Sequence, residues 1–329
     1  MPQTTSVTVS SHVMSEILSP TALAPLFSKQ IMASKVNQAS IARLPSKVRK
    51  IPKKTALAIA VDDVEGGSFA NPQTLAYGSA ISIMPTTKVQ GANITMDALL
   101  LAMPGADREQ CIAAVENNAP EAIPFLRDAG MLVAEAHLRR AEQDMLQLFP
   151  GLSESAGTTN TALGFSALLT GLFNVLDNNV EHENIVCVIE EKGVNDLRSA
   201  LITGSGTGLA TIWANPNADI SLFRQVPDAS RAGLRGSVLD IPVYAADKSL
   251  MSTANSNVDR VGGIFCLGRG VTAAPGSLRG FCEFTEGYAI SLGFEFNLTT
   301  DDVDVIGRWK WAVAEHTDEH GCRLIYKKD

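Results

Sequence analysis

Side chains that bind metal ions are concentrated in one short stretch near residue 320. The stretch EHTDEHGC, residues 315–322, holds His316, His320 and the thiol of Cys322 among three carboxylates. Imidazole, thiolate and carboxylate are the ligands that zinc prefers, and a structural zinc site closes around four of them. The residues of this stretch could therefore bind a metal ion, unless the sequence on either side indicates another role for it.

Strand-like alternation stands on both sides of this stretch. VDVIGRWKWAVAE precedes its histidines, and CRLIYKKD resumes the alternation after them. The Thr, Asp and Gly residues between are typical of a tight turn. We predict a β-hairpin whose tip brings His316 and His320 near each other. We expect no metal site, because no closed set of four ligands is present.

A glycine-rich loop, GSGTGLA at residues 204–210, resembles a phosphate-binding loop. A dinucleotide fingerprint requires its glycines after a strand and before a helix. Here they follow a helical pattern and precede the strand-like LATIWA, so the loop lies on the wrong side of the helix to use its N-terminal dipole. We interpret it as a surface loop. A nucleotide-dependent cytosolic α/β enzyme using residues 204–208 stays as an alternative of a different class.

The sequence offers few residues in patterns that are typical of nucleophilic catalysis. There is no GxSxG elbow, and only five histidines are present. The cysteines are odd in number, scattered and never spaced as CxxC, which indicates reduced thiols: Cys111, Cys187, Cys266, Cys282 and Cys322. We expect no catalytic residue and no cofactor, and therefore no enzyme.

The strongest helical pattern is Asp128 to Phe149. Its apolar stripe recurs at intervals of three and four residues: Met131, Ala134, Leu138, Ala141, Met145 and Leu148. Pro150 and Gly151 end the pattern. His137 falls on the opposite face beside two arginines, where we expect it to be solvated.

An α/β region follows this helix. A second helix is predicted over 161–177, then the buried strand NIVCVIE and the helix EKGVNDLRSAL. A continuous apolar strand followed at once by a helix is typical of a sheet covered on both faces. From Gly204 onward the pattern is mostly that of strands.

Charge divides the chain unevenly. Residues 1–54 carry eight bases and one acid, a net +7, whereas the whole chain has −8. Six of these bases are the candidate contact residues for nucleic acid or for an acidic neighbouring copy: Arg43, Lys47, Arg49, Lys50, Lys53 and Lys54. A solvated tail is the alternative. No segment reaches the length of a membrane helix, so we expect no membrane partner.

The order of these elements resembles the major capsid protein of tailed bacteriophages, the Hong Kong 97-type fold. The order of elements carries most of the resemblance, and three segments support it locally: NIVCVIEEKGVNDLRSAL, RAGLRGSVLDIPVYAAD and DVDVIGRWKWAVAEHTDEHGCRLIYKKD. It implies an α+β chain with an N-terminal arm (1–54) and an extended β-hairpin loop (55–95). It further implies a peripheral domain (96–155 and 284–316) with a spine helix at 128–149, an axial α/β domain (156–283), and a C-terminal turn and last strand (317–329).

The resemblance also implies a function. Such a chain assembles with copies of itself into pentamers and hexamers of an icosahedral capsid that encloses double-stranded DNA. Its partners would be a portal, scaffolding, cement or decoration proteins, and packaged DNA bound without sequence preference. It would reside in the virion after assembly in the host bacterial cytoplasm. An encapsulin-like nanocompartment shell uses the same architecture and is the alternative within the fold. Residues 1–54 and the hairpin bury little apolar surface by themselves, so we expect a second molecule to cover them.

Overall fold

The computed structural model describes twelve parts of the chain: residues 30–42, 48–51, 81–103, 105–116, 123–178, 180, 182–203, 223–224, 233–238, 241–267, 280–297 and 302–328. The glycine-rich loop 204–208 and most of the predicted extended loop lie outside these residues.

A four-stranded sheet forms one half of the described structure. Its strands are β1 (Asn37–Ser40), β4 (Thr86–Thr95), β12 (Cys282–Asn297) and β13 (Asp302–Glu315). Their order is β1-β12-β13-β4. The pairs formed by β13 are antiparallel, while β1 runs parallel to β12. A separate ribbon joins β2 (Arg49–Ile51) to β3 (Ile81–Ile83).

Three helices accompany this sheet: α1 (Met96–Ala102), α2 (Arg108–Glu116) and α3 (Ile123–Leu146). Thr95 caps α1 by accepting a hydrogen bond from the N–H of Ala98, and threonine is among the residues preferred at this position. Helix α3 begins five residues before the predicted start, because Pro124 is tolerated in a first helical turn. It ends before Pro150.

Helix α3 lies against β13 and β4 through a wider buried face than its apolar stripe predicts. Ala134, Leu138, Ala141 and Met145 of the stripe are buried, as expected. His137 is also buried, with 2% of its surface exposed, so the prediction of a solvated histidine is wrong. Gly307 of β13 lets the helix approach closely, and the His137 ring packs edge-on against Trp311 at 5.9 Å.

A larger sheet of eight strands forms the other half. Its strands are β5 (Ser155–Gly157), β6 (Ile185–Glu190), β7 (Phe223–Arg224), β8 (Leu234–Val238), β9 (Ile241–Ala246), β10 (Thr253–Ala254), β11 (Asp259–Cys266) and β14 (Gly321–Lys327). The order is β5-β14-β11-β6-β9-β8-β7, with β10 paired to β11.

The predicted strand-then-helix unit sits at the centre of this sheet. All six residues of β6 are buried, and α5 (Glu191–Thr203) begins at the next residue. Helix α4 (Phe165–Leu176) precedes them and packs on β14, β5 and β11. β6 runs parallel to β9 and antiparallel to β11. The sequence prediction of a buried strand between two helices is confirmed.

The C-terminal strands do not form the predicted hairpin. β13 belongs to the four-stranded sheet, whereas β14 lies between β5 and β11 in the larger one. A short 3-10 turn at Asp318–His320 carries the chain from one sheet to the other. The alternation identified both strands correctly but assigned them the wrong partners.

One core joins the two sheets. Phe149, Phe265 and Phe281 form an aromatic cluster with ring centroids 4.5–5.7 Å apart. This cluster is continuous with the buried face of α3 and with Trp309 and Trp311. All five cysteines are free and buried, in agreement with the prediction of reduced thiols. Among the described helices, none has the length and apolar character needed to cross a membrane.

Candidate functional site

The N-terminal arm carries the predicted contact residues, and the structure describes two of the six. Arg49 forms an ion pair with Glu283 of β12 and is about one-third exposed. Lys50, the next residue on β2, is exposed. Arg43, Lys47, Lys53 and Lys54 lie outside the described residues. Arg49 is therefore engaged within its own subunit, while Lys50 remains accessible on the surface.

The described part of the arm is bound to its own subunit. Ile31, Met32 and Val36 belong to the core shared by α3 and both sheets. After them, β1 adds to the edge of the four-stranded sheet, and the N–H of Ile41 donates to the carbonyl of Glu286. For residues 30–42, the expectation that another subunit must hold the arm is wrong.

A single buried carboxylate fastens the turn at the start of this segment. Glu142 of α3 is 5% exposed. Its Oε1 accepts hydrogen bonds from the N–H groups of Ile31 at 3.1 Å and Met32 at 2.9 Å, and its Oε2 lies 3.1 Å from the Met32 nitrogen. Burial raises the pKa of Glu142 to about 7, although the backbone N–H groups and Lys35 act in the opposite direction.

Lys35 connects the same turn to the larger sheet. Its ammonium donates to the carbonyl of Ile31 at 2.8 Å and lies 3.6 Å from the centroid of the Tyr244 ring on β9. A cation over an aromatic face is stabilised by the ring quadrupole, more strongly when both groups are desolvated. Lys35 is 5% exposed. The turn thus contacts α3 on one side and β9 on the other.

Close backbone packing completes this attachment. Gly233 has φ +72°, a conformation that favours glycine, and a Cβ there would meet Ile31 Cδ1 at 2.5 Å. The arm therefore lies against the backbone at the start of β8 with no room for a side chain.

Sequence reasoning missed both Glu142 and Lys35. A signal for Glu142 was present, because it lies four residues after Leu138 and three before Met145, both on the buried stripe. Residues at those spacings share a helix face. An acid at such a position needs a buried partner, and the arm supplies it.

The stretch 315–322 has a structural role. His316 is buried, and its Nδ1 lies 2.7 Å from the hydroxyl of Thr317. Cys322 points into the core, where burial raises its pKa to about 11. Within the described parts of the chain, no group of three or more His, Cys, Asp or Glu side chains is arranged to hold a metal ion. His316 lies at the start of the connection between the two sheets, and Cys322 belongs to the core around the larger sheet.

Comparison with known proteins finds a likeness of structure without a likeness of sequence. No protein-family model matches the chain, and no curated protein matches it. The head structure of Helicobacter pylori bacteriophage KHP40 matches with a TM-score of 0.59 at 9% identity, over 93% of this chain and 90% of that chain.

Two further solved structures agree with this match. The capsid of Helicobacter pylori bacteriophage KHP30 has a TM-score of 0.59 at 10% identity, over 92% of this chain and 90% of its own. The capsid of Ralstonia phage GP4 has a TM-score of 0.56 at 8% identity, over 92% and 91%. Each likeness covers about nine-tenths of both chains, so what is shared is the overall fold.

Proposed function

We propose that this chain, which has the α+β Hong Kong 97-like capsid fold, is a shell subunit that assembles with copies of itself into an icosahedral capsid enclosing double-stranded DNA. The observation that supports this most is the structural match to phage head and capsid proteins over about nine-tenths of both chains. Pentamers and hexamers are the units that such a closed shell requires. The role is structural, and no catalytic step is assigned to the chain.

Uncovered apolar side chains support an assembling subunit. Met84, Leu101, Leu132 and Phe173 are each more than half exposed although they are large and apolar. They are spread over β3–β4, α1, α3 and α4, that is, over both halves of the chain. Single exposed apolar residues are ordinary, but neighbours on several sides of a subunit would cover a set distributed in this way.

The decisive experiment is direct observation of the purified protein. Size-exclusion chromatography and negative-stain electron microscopy should show closed shells of tens of nanometres. A monomer or dimer that binds nucleotide would instead support the enzyme that uses residues 204–208. Genome neighbourhood separates the two shells, because portal and terminase genes accompany a capsid and a cargo-enzyme gene accompanies an encapsulin.

The arm is proposed to carry the contact with a neighbouring copy or with packaged DNA. Because Arg49 is paired with Glu283, we assign this contact to Arg43, Lys47, Lys50, Lys53 and Lys54. Phosphate contact would make it salt-dependent.

Charge reversal tests the arm proposal. Changing Arg43, Lys47, Lys53 and Lys54 to Glu should lower the yield of shells. Reversal of four exposed bases elsewhere controls for net charge: Arg127, Lys248, Arg308 and Lys327. Equal yields of stable particles from the arm variant and the wild type would contradict this assignment.

The domain division is proposed with the boundaries given by the resemblance. Because β3 and β4 pair with strands of their own subunit, the part of the extended loop (55–95) that precedes them would lie on a neighbouring subunit, and the axial domain (156–283) would meet its copies at the symmetry axes. Deleting residues 66–74 should leave a folded subunit that assembles poorly, and a normal yield of closed shells from this deletion would count against the loop. The portal, scaffolding and decoration proteins, and the site of assembly in the host cytoplasm, belong to the same proposal.

A further inference from the structure

The attachment of the arm to α3 depends on one ionisable group enclosed between them. Glu142 receives the N–H groups of Ile31 and Met32, and both the donors and the acceptor are buried. Because these donors belong to the arm and the acceptor belongs to the helix, moving the arm away would return the carboxylate to water. Any change in the charge of Glu142 therefore acts on this contact.

The charged surroundings of Glu142 are simple. From the arm, Lys35 is the base whose charge acts on it. Along α3, Arg139 faces Asp247 at 3.6 Å and Arg140 faces Asp144 at 2.9 Å, and both arginines are more than half exposed. From β9, the Tyr244 ring lies against the ammonium of Lys35 at 3.6 Å. The N–H groups of Met32 and Ile31 therefore offset the burial of this carboxylate, with Lys35 as the charged group that adds to them.

We propose that Glu142 is a proton-sensitive anchor, which holds residues 30–36 firmly on their own subunit in mild acid and loosens its hold as the pH rises through neutrality. The proposal concerns the chain itself and does not rest on whether the chain builds shells. A released segment would free the arm to engage a second copy or another partner.

The direction follows from the two states of the carboxyl group. With the arm in place, burial raises the pKa of Glu142 from 4.5 to about 7. With the arm away, the side chain lies on a helix surface in water and regains its ordinary pKa. The docked state thus binds the proton more tightly, so docking strengthens as pH falls from about 7 to about 4.5. The two pKa values correspond to roughly a 300-fold change in the docking equilibrium across that window.

Hydrogen exchange measured by mass spectrometry tests this on the full chain. A peptide covering residues 30–42 reports docking, and a peptide from β11 reports global opening. After correction for intrinsic exchange rates, protection of the arm peptide should fall as the pH rises from 5 to 8, whereas the β11 peptide should lose no protection over that range. Arm protection that is constant, or that rises with pH, would overturn the proposal.

Three variants separate the anchor from a general effect of charge. Glu142→Gln cannot ionise and should make arm protection independent of pH. Glu135→Gln, on the same helix and only partly buried, should keep the wild-type profile. Lys35→Met removes the base that favours the carboxylate, so the midpoint should move to higher pH. An unmoved midpoint in Lys35→Met, or a wild-type slope in Glu142→Gln, would assign the pH dependence to another group. Lys35→Met keeps the proposal testable should Glu142→Gln fail to fold.

Discussion

The contact between α3 and β13 depends on the absence of a side chain at residue 307. A Cβ built on Gly307 would lie 2.5 Å from Val133 Cγ1 and 3.0 Å from His137 Nε2. Carbon atoms in ordinary contact stay about 3.5–4.0 Å apart, so Gly307→Ala requires the helix to retreat by ~1 Å or Val133 to change rotamer. Overpacking of this kind costs about 1–3 kcal/mol of unfolding free energy.

A second substitution identifies the atom responsible. Val133→Ala deletes Cγ1 and alone should cost ~2 kcal/mol, from two buried carbons at ~0.8 kcal/mol each and the space they leave. In the double variant the new methyl group occupies part of that space. The losses of unfolding free energy in the two single variants should therefore sum to at least ~1 kcal/mol more than the loss in the double variant.

Equilibrium unfolding of dissociated subunits in urea measures these free energies. Tryptophan fluorescence, measured with Trp213 replaced by Phe in all variants so that the signal comes from Trp309 and Trp311 on the same face of β13 as Gly307, reports the local contact, and circular dichroism reports the whole chain. Gly293→Ala is the matched control, because its Cβ would meet nothing within 4 Å. Additive costs, within ~0.5 kcal/mol, or a neutral Gly307→Ala would refute the close-approach explanation.

Three other perturbations have predicted outcomes. In the wild type, the guanidinium of Arg260 lies 2.9 Å from the buried carboxylate of Glu190. Arg260→Met removes this cation and should lower the unfolding free energy by about 3–5 kcal/mol in denaturant titration. A loss below ~1 kcal/mol would contradict this. Burial lowers the pKa of His137 from 6.5. Below that pH the imidazole is protonated in the unfolded chain but stays neutral in the folded chain, so the unfolding free energy should fall as the pH drops below about 6.5. Thermal melting of His137→Leu should show a smaller loss over that range, and an identical pH profile would exclude His137 as the cause. Gly157→Ala combines a φ of +99° with a Cβ 2.1 Å from the carbonyl oxygen of Ile325, so it should separate β5 from β14 and lower the melting temperature, whereas an unchanged melting temperature would show that the edge strand adds no stability.

Local patterns predict the elements whose burial depends on nearby residues. Strand β6 reads as an uninterrupted apolar run, and α5 follows with apolar residues at helical spacing, so both could be identified without knowing their neighbours. The α3 stripe likewise predicted which side of the helix faces the sheet. The resemblance to capsid proteins then ordered these elements into a fold that the structural matches confirm.

Contacts between distant residues set the limits of prediction. His137 is buried because Gly307, 170 residues later, admits the helix so closely; nothing near His137 in the sequence indicates this. The strands that pair with β14 could not be predicted either, because alternation identifies a strand but does not indicate which strand lies beside it.

The arm shows a similar limit at the candidate site. Its basic composition suggested that it binds another molecule, but α3 and β9 of the same chain can also supply a binding surface. The apolar residues Ile31, Met32 and Val36 decide the matter for this segment, because their burial outweighs the preference of the neighbouring polar residues for water.

The placement of β14 has a consequence for synthesis of the protein. Domains generally begin to fold on the ribosome from the N-terminal side, yet β14 lies between β5 and β11, which leave the ribosome before it. Until residues 321–327 emerge, β5 has no neighbour among the described strands of the sheet, and the edge of β11 that β14 later covers stays open. The larger sheet can close only after release of that strand, so a ribosome-bound chain stopped earlier keeps an open edge. The order of translation therefore makes β14 the last of the described strands to join the larger sheet.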